Sequence, residues 1–127
     1  MNKVVLDASA LLALIKNEKG ADIVDKLLGS IIMSSINVSE VAAILLDSKM
    51  TMEECKECIE PFIQSIIPFD TDHSFLAASL KNTTKHLGLS LGDRACLALA
   101  IAYKLPVYTA DKTWTKLKLD CEVILIR

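Results

Sequence analysis

A chain of 127 residues with 52% apolar and 24% charged side chains can bury one real core, and it is too apolar to be disordered. Its formal net charge of −2 argues against a high-affinity duplex binder, but clustered carboxylates around a cation would restore positive potential locally. No run reaches membrane-spanning length, and the apolar opening Met1 to Leu14 is broken by Asp7 with no small-residue cleavage pattern after it, so one cytoplasmic domain over residues 1–127 is expected.

In chain order, Lys3-Val4-Val5-Leu6-Asp7 is a short apolar run ending in an acid and predicts strand one. Ser9 is placed to cap a short helix from Ala10 to Lys16. Gly20 and Gly29 bracket a second helix over Ala21 to Leu28, and Ile31-Ile32-Met33 follows as strand two. Ser34 or Ser35 caps a helix over Ile36 to Asp47. Thr51, with Glu53 and Glu54 in the first turn, opens a helix toward Ser65 that Pro61 should kink or break. Its Cys55-x-x-Cys58 lies in helix interior with no second pair, so free thiols are expected rather than a zinc or redox site.

Ser65 to Phe69 reads as strand three, and Thr71 or Asp72 caps a helix from His73 to Leu87 that Gly88 ends. Leu89 to Gly92 reads as a loop, and Asp93 to Lys104 as a helix whose Ala95–Ala102 stretch is apolar all round and therefore buried. Pro106 to Thr109 and Glu122 to Ile126 complete five strands. Strands alternating with helices, rich in Val, Ile, Leu and Ala, predict an α/β fold: a three-layer α/β/α sandwich with a central, mainly parallel sheet. In such sheets the ligand site lies past the carboxyl ends of the strands, where strand order reverses.

Asp7 ends strand one, and Asp111 follows strand four, so both belong on that edge. Asp93 opens the buried helix, at the positive end of its dipole. Each of these is equally readable as a cap or turn residue. Glu40 is different. Its neighbours at helical spacing are Ile36, Asn37, Ala43 and Ile44, and a carboxylate on a mostly apolar face needs a cation, unless it pairs with a lysine or arginine or reaches the solvent edge. Four carboxylates without paired histidines or a cysteine set suit a hard cation, Mg²⁺ or Mn²⁺, which can hold a phosphate and activate water. His73 and His86 stand in cap and last-turn contexts rather than catalytic ones.

These stretches resemble the PIN-domain family. Val4-Val5-Leu6-Asp7-Ala8-Ser9-Ala10 is similar to its first motif and Ile36-Asn37-Val38-Ser39-Glu40-Val41 to its second. Leu89-Ser90-Leu91-Gly92-Asp93-Arg94 and Thr109-Ala110-Asp111-Lys112-Thr113-Trp114 are similar to the third and fourth, in the form seen in VapC toxins. The resemblance spans the chain in order. It implies an Mg²⁺- or Mn²⁺-dependent endoribonuclease, dimeric, that acts on RNA as the toxin of a type II toxin–antitoxin pair and is neutralised by a VapB-type antitoxin. It implies Asp7 and Asp93 as metal ligands, and Glu40 as a ligand or as the group orienting a ligated water. Asp111 serves a second metal or the outer shell, and Ser9 supports Asp7.

Lesser candidates have two readings each. Arg94 contacts RNA phosphate or an antitoxin acid, or pairs locally. Asn37 orients a metal-bound water or makes a cap-type hydrogen bond. Lys112, Lys116 and Lys118 track a phosphate backbone or form a solvated face, and Trp114 stacks a base or packs in the core. The rival classes are a phosphorelay receiver domain and a non-catalytic PIN module. The receiver signature wants paired acids after strand one, a phosphoacceptor Asp after strand three and a lysine after the last strand; Asp70 and Asp72 do follow strand three, but Ala8 follows Asp7, and Val123-Ile124-Leu125-Ile126 ends without lysine. A haloacid-dehalogenase-type phosphatase would want D-x-D where Asp7-Ala8-Ser9 stands.

Overall fold

The computed structural model describes residues 2–127. Five short strands form one sheet: β1 (Val4–Leu6), β2 (Ile31–Ser34), β3 (Ser65–Ile67), β4 (Val107–Thr109) and β5 (Val123–Leu125). The order is β3-β2-β1-β4-β5, and every pairing is parallel. A receiver domain has the order 2-1-3-4-5, so the topology sets that alternative aside. Among the described residues, no helix is long and apolar enough to cross a membrane.

Alternation along the strands splits the core in two, as a sheet covered on both faces requires. Val4 and Leu6 of β1 and Ile31 and Met33 of β2 point to one face. There they pack with α1 (Ala8–Ile15), α2 (Ala21–Asp25), α3 (Ser35–Asp47) and α4 (Met52–Ile59). Val5, Ile32 and Val107 point to the other, under α5 (Thr71–Ser79) and α7 (Leu91–Tyr103). A short α6 (Lys81–Thr84) joins those two helices. Ala95 to Ala100 of α7 are fully buried, as their apolar character predicts, but the expected burial does not reach the end of the stretch: Ile101 is half-buried and Ala102 exposed, where the helix emerges toward Lys104. Trp114 is fully buried on the same face, which settles its packing as core.

Several helix boundaries differ from expectation, each for a local reason. Asp7, not Ser9, caps α1: its side chain accepts from the Ala10 amide, while the Ser9 hydroxyl is committed to Asp7 and to the Ala110 amide. Asp70 rather than Thr71 or Asp72 caps α5, through the His73 amide. The helix expected to run from His73 to Leu87 breaks at Leu80, whose carbonyl takes the hydroxyls of Thr83 and Thr84. α7 starts at Leu91 instead of Asp93, because Ser90 and Asp93 form a reciprocal capping box. The second helix stops at Asp25, short of Leu28. β3 stops at Ile67, since Pro68 has no amide to donate and the Phe69 amide turns to Ser35 Oγ. Pro61 breaks its helix as expected, in a 3₁₀ turn over Glu60–Phe62. Two further 3₁₀ turns are present, Lys85–Leu87 before Gly88 and Lys112–Lys116 after β4, and the latter has no counterpart in the sequence-based expectation.

Gly20 and Gly29 both have left-handed backbone, at φ +99° and +91°. A Cβ at Gly20 would lie 2.7 Å from the Ile126 carbonyl oxygen, whereas one at Gly29 meets nothing. Gly29→Ala should therefore lose only the conformational term, about 1–2 kcal/mol. Gly20→Ala should lose about 1–3 kcal/mol more through overlap with backbone. Urea midpoints of the two variants would show this, and equal losses would contradict the packing of Gly20 against the last strand's exit.

Candidate active site

Strand order reverses between β1 and β4, and the carboxyl ends of these two strands open onto one edge. Asp7 leaves β1 there, and Thr109-Ala110-Asp111 leaves β4. α3 begins at the end of β2 on the same edge, carrying Asn37 and Glu40. The N-terminus of α7 reaches it too: Asn37 Nδ2 donates to the Gly92 carbonyl at 3.0 Å, and Cys96 Sγ to the Leu6 carbonyl at 3.6 Å.

Asp7 is only 5% exposed. Its Oδ1 accepts from Ser9 Oγ at 2.7 Å and from the Ala10 amide at 2.9 Å, and its Oδ2 accepts from Thr109 Oγ1. Ser9 Oγ accepts in turn from the Ala110 amide, and Thr109 Oγ1 from the Asp111 amide, so the exits of β1 and β4 are laced together through this carboxylate. Burial pushes the Asp7 carboxyl up from 3.8 to about 6, against the opposing pull of the Thr109, Ser9 and Ala10 hydrogen bonds, and the charge of Asp93 adds to the rise.

Glu40 and Asp93 complete a group of three. Asn37 Nδ2 donates to Glu40 Oε1 at 2.8 Å, and Asp93 Oδ2 accepts from the Ser90 amide at 3.0 Å. Burial first, then the charges of Asp7, Asp93, Cys121 and Glu40, push the buried Cys96 thiol well above its ordinary range. Asp111 stands apart. It is partly exposed, and its Oδ1 accepts from the Thr113 amide and hydroxyl, capping the 3₁₀ turn. It joins the group only through its amide and Thr109.

Glu40 is partly exposed and, among the described residues, has no basic side chain paired with it. Among the described residues, the only ion pair joins Arg127 to Glu18, so no basic group neutralises any of the four acids. Arg94 Nη1 donates to the Ala77 carbonyl at 3.1 Å, tying α7 to α5. Lys112, Lys116 and Lys118 are exposed, and the last two line an open cavity of about 380 Å³ with Thr83 and His86. His73 is buried edge-on against Tyr103, and all four cysteines are free.

The donor set is oxygen-rich and uncompensated, which fits a hard divalent cation. Among the described residues, no group of three or more histidine, cysteine or carboxylate side chains is arranged to hold a metal ion as the side chains stand. Mg²⁺ keeps several of its waters and needs only one or two protein carboxylates directly. Two residues of this edge were missed by the sequence reading. Thr109 is the last residue of β4, two before Asp111, where its side chain shares a face with Val107. Gly92 directly precedes Asp93 inside a helix, where a glycine is costly and signals a close approach.

Folded Asp7 keeps its proton up to about pH 6, whereas the unfolded carboxyl releases it near 3.8. The native state therefore binds more protons in that window, and this carboxyl's contribution to stability falls as pH rises through it, then levels off above pH 6. At ~1.36 kcal/mol per unit the window is worth about 3 kcal/mol. Asp7→Asn should remove it. Urea titrations in EDTA between pH 4 and 7.5 should show the parent losing stability relative to the variant across the window. The opposite trend would mean that the charge is not buried.

Residues 4–119 match the family model described as the PIN domain. No curated protein matches the sequence significantly. Among solved structures, the DNA-bound VapBC from Salmonella typhimurium shares a TM-score of 0.77 at 17% identity, with all of both chains covered. VapBC2 from Rickettsia felis, bound to a DNA fragment from its promoter, gives 0.74 at 19% identity over 96% of this chain and 97% of that one. VapC20 from Mycobacterium tuberculosis, a sarcin–ricin-loop-cleaving toxin, gives 0.74 at 11% identity over 90% and 94%. The neighbours share the fold and the family model spans nearly the whole sequence: this chain belongs to the PIN-domain family.

Proposed function

We propose that this protein is an Mg²⁺- or Mn²⁺-dependent endoribonuclease, and that it acts as the toxin of a VapBC-type pair. The carrying observation is the group Asp7, Glu40 and Asp93, held at the sheet's switch point without a basic partner. Solved neighbours that are VapBC complexes, and one that cleaves the sarcin–ricin loop, support the toxin reading. A VapB-type antitoxin and a second copy of the chain are the expected partners, in a cytoplasmic setting.

The metal, when bound, supplies charge neutralisation at the scissile phosphate and lowers the pKa of an attacking water. The residues divide the remaining work. Asp7 and Asp93 hold the ion. Ser9 and Thr109 fix the Asp7 carboxylate through both oxygens, so its lone pairs toward the open edge are preset. Glu40 ligates directly or orients the water, and Asn37 holds it in place. Asp111 serves a second ion or the outer shell, from the position where its amide reads Thr109. The exposed Lys112, Lys116 and Lys118, which follow Asp111 in sequence, offer positive charge to an RNA backbone that the acids would otherwise repel.

The test is cleavage of total RNA by the purified protein with Mg²⁺, Mn²⁺ or EDTA. Asp93→Asn is the informative variant, because Asn retains an acceptor for the Ser90 amide and so keeps the capping box. It should melt near the parent temperature yet lose cleavage by more than about 100-fold, beyond the ~10–100-fold typical of outer-shell changes. Cleavage that survives both EDTA and this variant would reject the reading. A folded protein that never cleaves but binds its partner would favour the non-catalytic PIN module.

A further inference from the structure

We infer that Gly92 and Asn37 are positioning residues that lock the Glu40 carboxylate over the first turn of α7. Its consequence for catalysis rests on the proposed nuclease reading; the lock itself does not.

The backbone at Gly92 does not require glycine. It lies inside α7 and is not among the residues with positive φ. It is the second residue of the helix, where alanine would be at least as favourable as glycine, so the backbone gives no reason for glycine there. An added Cβ would overlap the Glu40 carboxylate, lying 2.5 Å from Cδ, 2.6 Å from Oε1 and nearer still to Oε2. The carboxylate of one helix thus occupies the side-chain space of another. Helix propensity is given up at position 92 to admit it.

Asn37 fixes the arrangement. It is 1% exposed, and its Nδ2 donates both to Glu40 Oε1 at 2.8 Å and to the Gly92 carbonyl at 3.0 Å. The reversed amide would set an oxygen against two acceptors, so the orientation is determined by its partners. Asn37 Oδ1 has no hydrogen-bond partner, so the side chain is held by its NH₂ end alone. One amide and one missing Cβ therefore set where the third acid stands, without a neutralising charge.

A stability cycle in EDTA tests the lock without reading activity. Gly92→Ala is made in the parent and in a Glu40→Ala background. With Glu40 removed, alanine at 92 should raise Tm by about 2–4 °C through helix propensity. In the parent it should lower Tm. A rise in both backgrounds that agrees within about 1 °C would mean the carboxylate swings away freely and would overturn the inference. A larger difference between backgrounds supports it.

A second readout is calorimetric titration with Mn²⁺ alone. Gly92→Ala should weaken binding about 10-fold. Gly92→Ala combined with Glu40→Asp, whose carboxylate is one methylene shorter, should recover part of that loss. No change in Mn²⁺ affinity would remove the positioning role even where the cycle shows coupling. If the parent cleaves RNA, Gly92→Ala should lower kcat with KM little changed. If the parent binds Mn²⁺ and shows the coupling but never cleaves, the lock stands and the nuclease reading falls.

Discussion

A buried carboxylate that no basic side chain neutralises is the constraint around which this edge of the molecule is organised. Asp7 has almost no contact with solvent, and its three hydrogen bonds only partly offset the desolvation that raises its pKa to about 6. Left ionised and unpaired, such a group opposes folding. The chain tolerates it because the surrounding donors come from rigid places: the first turn of α1 and the last residue of β4. Loss of stability at that point is the counterpart of a preset, electronegative edge.

The rest of the fold serves that edge. Parallel strands need crossovers, and the crossovers bring every carboxyl end to one side. The alternation of Val4, Val5 and Leu6 gives β1 an apolar face on each side, so it sits centrally, and the acid that follows it is carried to the switch point. The apolar α7 is driven into the second core by burial worth about 25 cal/mol per Å². That packing delivers Asp93 to the same place as Asp7. Burial energy from the two cores thereby holds together acids that repel one another.

Stability is also conceded at Gly92, where a helical residue gives up its side chain to make room for Glu40. The two concessions are of the same kind. In each, local preference is overridden where a carboxylate is set against the backbone of another element. Sites at which local and global preferences disagree are where a folded chain carries function.

Much of this was legible in one dimension. Strand–helix alternation and the buried character of Ala95–Ala100 follow from hydrophobic period, which depends only on sequence spacing. Glu40 drew attention for the same reason, as a charge at helical spacing among apolar neighbours. Boundaries were less legible, because capping is a competition among adjacent hydroxyls and carboxylates. Asp7 displaced Ser9, and Asp70 displaced Thr71 and Asp72, through bonds that depend on where β4 and the first turn of α5 come to rest. Only the tertiary structure decided that Thr109 bonds Asp7 across 102 residues, and that Gly92 yields its space to an acid 52 residues away. It alone turned the Asp111 carboxylate to Thr113 while Glu40 faces Asp93's helix. Spacing along the chain determines which face a side chain is on; which partner it meets there depends on how the faces are brought together.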